Sequence, residues 1–342
     1  MHQVDSLVAT TAGAGIIEEV PANLDTSLGP SSLPKLVDWL NWPRERVARW
    51  VSAQPQPVVI GWPFNGTRRW YRLYKHENPD AQDYVTTIIR HQAEKHRLVF
   101  AHGVKAILAP CFGAELLQRG PDYTQRVLGG LLKLGDDAVN QEMFNAGVRL
   151  RFYGNYEEML DTPAFRPLLN ACAELTAATV NGDGPLLLIG LFADDPYPTI
   201  ARLSIEFAKK RGYPPNRQEL IEAYYGLAIP DLSLYLGFAQ PALFDIPLLS
   251  AGVEDLYATL TPSPELTERQ LREILYDHLI VRRTPETDYE VLSDEAQAAL
   301  AEYNRRYRGV TLGIGRIDPL TGVWNPLLPD LKEETQPAQR LI

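Results

Sequence analysis

Two adjacent arginines, Arg68 and Arg69, close the run Trp62-Pro63-Phe64-Asn65-Gly66-Thr67-Arg68-Arg69-Trp70. A glycine at Gly66 lets backbone amides approach an anion closely. Guanidinium groups add charge-assisted donors that match phosphate oxygens in pairs. A helix starting nearby would add the partial positive charge of its amino terminus. Asn65, Gly66, Thr67, Arg68 and Arg69 therefore read as a diphosphate-sized anion site. Arginines of this kind are just as often plain surface charges, so their place in the fold decides between the two.

The run directly follows a short apolar segment, 58–61, of the length and composition of a buried strand. Similar segments recur at 104–108, 148–152, 186–192 and 232–236. Helical spacing separates them, at 83–102, 123–134, 164–180, 199–211, 217–225 and 267–282, the last capped by Thr267. Apolar strands alternating with helices predict an α/β fold, a mostly parallel central sheet flanked by helices. Such sheets bind ligands beyond the carboxyl ends of their strands, which is where the arginine run falls. Ser32 and Pro34 mark the start of one helix over 36–51. The expected organisation is an N-terminal arm and helix over 1–56, a catalytic domain over 57–325 and a loose tail over 326–342.

The formal net charge of −10 argues against nucleic acid or an anionic membrane as partner. An anion site in this protein must be a local basic exception. Two cysteines, Cys111 and Cys172, are too few for a disulfide framework and lack zinc spacing, which suggests free thiols in a reducing compartment. No secretory signal pattern opens the chain, and the apolar runs are too short to span a bilayer. A cytoplasmic protein without membrane insertion is expected. His91, His96 and His102 share one predicted helix, but their spacing with no partner Glu is not a metal signature.

Asn65-Gly66-Thr67-Arg68-Arg69-Trp70 resembles the Asp-Gly-Asn-x-Arg-Trp motif that opens the cis-prenyltransferases, among them undecaprenyl diphosphate synthase. The segment 148–155 resembles that family's later strand ending in Gly-Asp, and Pro230-Asp231-Leu232 its strand before the second diphosphate site. A narrower likeness joins Pro63 to Trp70, Ile221-Glu222-Ala223-Tyr224-Tyr225-Gly226, Phe244-Asp245-Ile246-Pro247-Leu248-Leu249-Ser250 and Ile274-Leu275-Tyr276-Asp277-His278. These segments are similar to terpene synthases of the tuberculosinol, tuberculosinyl-adenosine and kolavelool type, which are built on the cis-prenyltransferase fold.

The resemblance implies that fold, a homodimer, a terpenyl diphosphate substrate and a separate diterpene cyclase acting beforehand. It implies catalytic roles for Asn65, Tyr84, Arg69 and Asp245, and diphosphate binding by Gly66, Thr67, Arg68 and Arg69. The sequence departs from the elongating enzymes in two ways. Residues 232–244 hold no Arg, Lys or His where those enzymes bind a second diphosphate, and a diphosphate cannot be held there without cations. Tyr235, Phe238 and Phe244 would instead present aromatic faces to a hydrocarbon or a cation. Asn65 replaces the family's Asp, so a bound Mg2+ should be weakened, with Glu254 or Asp255 near the family's other magnesium ligand. One allylic diphosphate without a second implies ionisation and capture of the cation by water. Transfer to a nucleoside nitrogen, and a non-catalytic partner subunit, are the alternatives.

Overall fold

Six strands build one sheet: β1 Val59–Gly61, β2 Ala106–Phe112, β3 Arg149–Tyr153, β4 Leu186–Leu191, β5 Leu234–Phe238 and β6 Asp255–Thr259. Their order is β3-β4-β2-β1-β5-β6, and every pairing is parallel. The structure is a computed structural model that describes residues 33–328 apart from 121–124, 126–128, 241–242, 244 and 287. All residues of β1 and β4 are buried, because helices cover both faces of a parallel sheet. Alternate side chains feed two cores. Ile60, Ile107, Leu187 and Leu234 point to one face, while Val59, Leu108, Leu188 and Tyr235 point to the other.

The helices are α1 Leu36–Asn41, α2 Arg44–Ser52, α3 Thr67–Glu77, α4 Tyr84–Phe100, α5 Ala138–Asn145, α6 Tyr156–Met159, α7 Arg166–Thr179, α8 Tyr197–Arg211, α9 Arg217–Tyr225, α10 Glu268–Leu279 and α11 Asp294–Tyr307. The expected strands are present, as are the helices expected over 83–102, 164–180, 199–211, 217–225 and 267–282, with shifts of a few residues, while much of the one expected over 123–134 lies outside the described residues. The single helix over 36–51 is instead two, because Pro43 breaks it between Asn41 and Arg44. Ser32 lies outside the described residues, and Lys35 precedes α1 without a side-chain cap. Trp39 of α1 is fully buried, and its indole Nε1–H donates to the Arg272 carbonyl of α10 at 2.9 Å. Arg272 in turn donates to the carbonyls of Leu40 and Trp42.

A hairpin of β7 Gly315–Ile317 and β8 Trp324–Pro326 follows α11. Among the described residues of 281–328, none is buried. No helix among the described residues is long and apolar enough to cross a membrane.

Candidate active site

The chain leaves β1 through Trp62 and Pro63 and turns at Gly66, whose φ of 82° belongs to the left-handed region. A Cβ at Gly66 would meet the Phe238 ring at 2.7 Å and the Pro262 Cβ at 2.8 Å. Glycine therefore permits both the turn and the close packing. Helix α3 starts at the next residue, and Gly66 offers no capping side chain. The first amides of α3 thus have no capping side chain, and a helix end of this kind favours an anion. Arg68 and Arg69 lie in the first turn, exposed, and among the described residues no carboxylate pairs with either. The Arg69 guanidinium carbon lies 5.1 Å from the centroid of the Phe238 ring, which holds it as a platform.

Asp83 caps α4 by accepting the amide hydrogens of Val85 and Thr86. That cap sets Tyr84 opposite the start of α3, where its hydroxyl lies 2.9 Å from Thr67 Oγ1. Asn65, Arg68, Arg69, Tyr84 and Asp245 all line one cavity of about 850 Å3, within the roughly 300–1,000 Å3 usual for small-molecule sites. The cavity stands at the carboxyl ends of β1, β2 and β4. Beyond the arginines the wall combines apolar side chains with the polar groups of Gln92, Asp194 and Asp245. Helix α4 contributes Val85, Ile88 and Ile89, and Leu131 and Leu134 face them. At Gly130 a Cβ would lie 2.0 Å from Val85 Cγ1, so the glycine lets the two sides come together.

The remaining expected site residues are elsewhere. Tyr235 is buried in the core on the opposite face, its ring against Gly61. Phe238 supports Gly66 and Arg69 and is not part of the cavity wall. Phe244 lies outside the described residues. Asp255 begins β6, at the amino end of the sheet and away from Asn65. Its carboxylate accepts from His278 at 2.6 Å, Arg282 at 3.1 Å and Arg283 at 3.3 Å. Glu254 accepts amide hydrogens from Ala251 and Gly252. Both carboxylates already serve the loops around them.

Three polar residues of the cavity were missed by the sequence reading: Arg119, Asp194 and Gln92. The rule that pointed to the loop after β1 applies equally to the loops after β2 and β4, and it would have found Arg119 and Asp194. Gln92 continues the Val85-Ile88-Ile89 stripe at helical spacing. Cys111 is exposed only as part of this wall, and burial pushes its thiol up to about 11.

Asn65 brings an amide where a carboxylate would favour a metal. Among the described residues no group of three or more His, Cys, Asp or Glu side chains is placed to hold one. The loop after β1, 62–66, carries no carboxylate, and the charged groups next to it are the arginines.

The six-stranded all-parallel sheet flanked by helices is that of the cis-prenyltransferase class. Solved structures with this fold include a probable undecaprenyl diphosphate synthase from Campylobacter jejuni, with a TM-score of 0.50 and 16% identity, covering 69% of this chain and 99% of that one. Another is lavandulyl diphosphate synthase from Lavandula x intermedia, with a TM-score of 0.50 and 12% identity, over 69% and 98% of the two chains. No protein-family model matches the chain. Among curated proteins it is 33% identical to tuberculosinyl adenosine transferase of Mycobacterium tuberculosis over 290 residues, 84% of this chain and 96% of that one. It is 26% identical to (+)-kolavelool synthase of Herpetosiphon aurantiacus over 309 residues, 88% and 98% of the two. The chain belongs to this family of diterpene enzymes within the cis-prenyltransferase superfamily.

Proposed function

We propose that the protein ionises a bicyclic C20 diphosphate of the kolavenyl or tuberculosinyl type and captures the allylic cation with water. The products are a tertiary diterpene alcohol, of the kolavelool or tuberculosinol type, and diphosphate. One observation carries this reading: the cavity joins a single arginine-lined anion seat to an apolar wall, while 232–244 hold no cation for a second diphosphate. Such a site suits one allylic diphosphate with a hydrocarbon body.

The leaving diphosphate develops charge as its C–O bond breaks. Arg68, Arg69 and the first amides of α3 are already oriented toward it, and preorganised donors of this kind lower the barrier without reorganising. Arg119 lines the same cavity and adds a third guanidinium. The Thr67–Tyr84 contact ties α3 to α4, so the seat and the apolar wall keep one geometry. Val85, Ile88, Leu131 and Leu134 exclude bulk water from the cation. Asn65 offers an acceptor and two donors to the diphosphate but no charge, so dependence on Mg2+ is expected to be weak. The substrate's rings would be closed beforehand by a separate cyclase. The enzyme is expected to be a cytoplasmic homodimer.

Capture by a nitrogen nucleophile is the second reading, favoured by the higher identity to the adenosine transferase than to the kolavelool synthase. Purified protein incubated with geranylgeranyl, kolavenyl and tuberculosinyl diphosphates, with and without adenosine, tests both. Diphosphate release with a tertiary alcohol is the expected outcome. A mass corresponding to a terpenyl nucleoside would transfer the assignment to the second reading. No release from any of the three would sink both.

A further inference from the structure

Asp194 puts a negative charge where an anion site has no use for one. It lines the same cavity as Arg68, Arg69 and Arg119, and a carboxylate in that cavity repels a bound diphosphate. Its hydrogen bonds show what it does instead.

Strands β2 and β4 are neighbours, and their carboxyl ends are tied together. Their register shifts between Pro110 and Phe112, so Cys111 has no partner in the ladder. Irregularities of this kind re-aim the chain as it leaves a sheet. The Phe192 amide donates to the Phe112 carbonyl at 2.6 Å, and the two rings lie 5.0 Å apart, edge to face. Phe192 has a φ of 54°, a left-handed conformation that a bulky residue keeps only when its surroundings impose it. Two residues beyond that turn, the Asp194 carboxylate reaches the chain leaving β2. Both of its oxygens accept the Ala114 amide hydrogen, at 2.9 Å and 3.1 Å. Gly113 makes room for it, since a Cβ there would lie 3.1 Å from the Asp194 carboxyl carbon.

Ala114 opens a short 3-10 helix, Ala114–Arg119. The first amides of a helix have no partner within it, and a carboxylate binds such an amide more strongly than a neutral acceptor does. This one helix therefore has Asp194 at its start and a cavity-lining guanidinium at its end. Fixing the start of so short an element fixes where its end points.

We propose that Asp194 is a positioning residue: it anchors the 114–119 turn and thereby holds Arg119 toward the leaving diphosphate. This assignment rests on the diphosphate reading above. Asp194 then has two effects of opposite sign. Its own charge weakens anion binding, whereas the placement of Arg119 strengthens it, and the second effect is the larger.

The test is the affinity of the full chain for inorganic diphosphate, measured by isothermal titration calorimetry at one fixed Mg2+ concentration. The wild type is compared with Asp194→Ala, Asp194→Asn, Arg119→Ala and the Asp194→Ala/Arg119→Ala double variant. The Kd describes the folded molecules, so a loss of some of them does not move it. Asp194→Ala and Arg119→Ala are each expected to weaken binding about tenfold, near 1.4 kcal/mol. Asp194→Asn keeps an acceptor oxygen without the charge, and its affinity should fall between those of the wild type and Asp194→Ala. The double variant should bind no more weakly than Arg119→Ala alone, because Asp194 then has nothing left to position. Unchanged or tighter binding in Asp194→Ala would make Asp194 a mere charge and overturn the assignment, as would losses that add in the double variant. A wild type that binds no diphosphate overturns the diphosphate reading itself, so the two failures are told apart.

Discussion

Arg69 has two neighbours with different demands: the Phe238 ring beneath it and the anion seat in front of it. The ring fixes the guanidinium before substrate arrives, which is how a long side chain contributes to a transition state without an ordering cost. Arg69→Ala should lower kcat/KM for a diterpenyl diphosphate by about 10²–10³-fold, the usual loss on removing one preorganised donor. Steady-state diphosphate release checks this. Asn65→Asp restores a carboxylate beside the seat, and its activity should rise with added Mg2+ more steeply than that of the wild type in a parallel titration. His96 makes a prediction about stability. It is fully buried against Trp62 and Phe64, and burial lowers its pKa from 6.5 to about 3. The folded protein keeps it neutral while the unfolded chain takes up a proton below pH 6.5. Its contribution is thus complete above pH 6.5 and is lost progressively as pH falls toward 3. Urea denaturation of His96→Phe across that window should show a shallower loss of stability than the wild type.

The elements carry a sharper constraint at one glycine. Gly66 must be left-handed, and it must lack a Cβ because Phe238 and Pro262 leave no room. Gly66→Ala should therefore cost about 1–3 kcal/mol of stability through backbone strain, with further loss from the clash. The anion seat should fail together with the fold in thermal melts and activity assays. This position was legible in the sequence, because a glycine and paired arginines after an apolar run have a reason that needs no structure. Strands β1, β2, β4 and β5 were legible because burial on both faces leaves continuous hydrophobic stretches, and the edge strand β3 because Leu150 and Phe152 alternate with Arg149 and Arg151. Strand β6 was not, since Asp255-Leu256-Tyr257-Ala258-Thr259 is an edge with mixed exposure and opens on a charge. Helices α5 and α11 also escaped notice, their patterns being short or exposed. The hydrocarbon wall was misplaced onto Tyr235 and Phe238 because aromatic type says nothing about which face of a strand a side chain joins. Only the register of β5 against β1 decides that. Arg119 and Asp194 follow β2 and β4, and the strand-end rule reaches them only when it is applied to those loops as well as to the loop after β1.

At the scale of the whole molecule, an acidic protein with a net charge of −10 places Arg68 and Arg69, which pair with no carboxylate among the described residues, at one sheet end. The same unevenness holds for burial. The core is complete before residue 281, and none of the described residues from there to 328 is buried. A chain ending at Thr284 should accordingly melt within about 4 °C of the full protein at low concentration, where 1 kcal/mol moves the midpoint by roughly 2–4 °C. Differential scanning fluorimetry against protein concentration would show this, and a larger drop would mean that the segment is covered in the native assembly. The division of labour inside the cavity has another use. In the proposed reaction diphosphate is held by the loop after β1 and the start of α3, whereas the apolar lining residues Val85, Ile88, Ile89, Leu131 and Leu134 come from other elements. On that proposal, leaving-group chemistry and the mould for the carbon skeleton sit on separate elements of the chain. A library confined to those five positions would search for new terpene scaffolds while the ionising machinery stays as it is, which makes this fold a modular chassis for biosynthetic engineering.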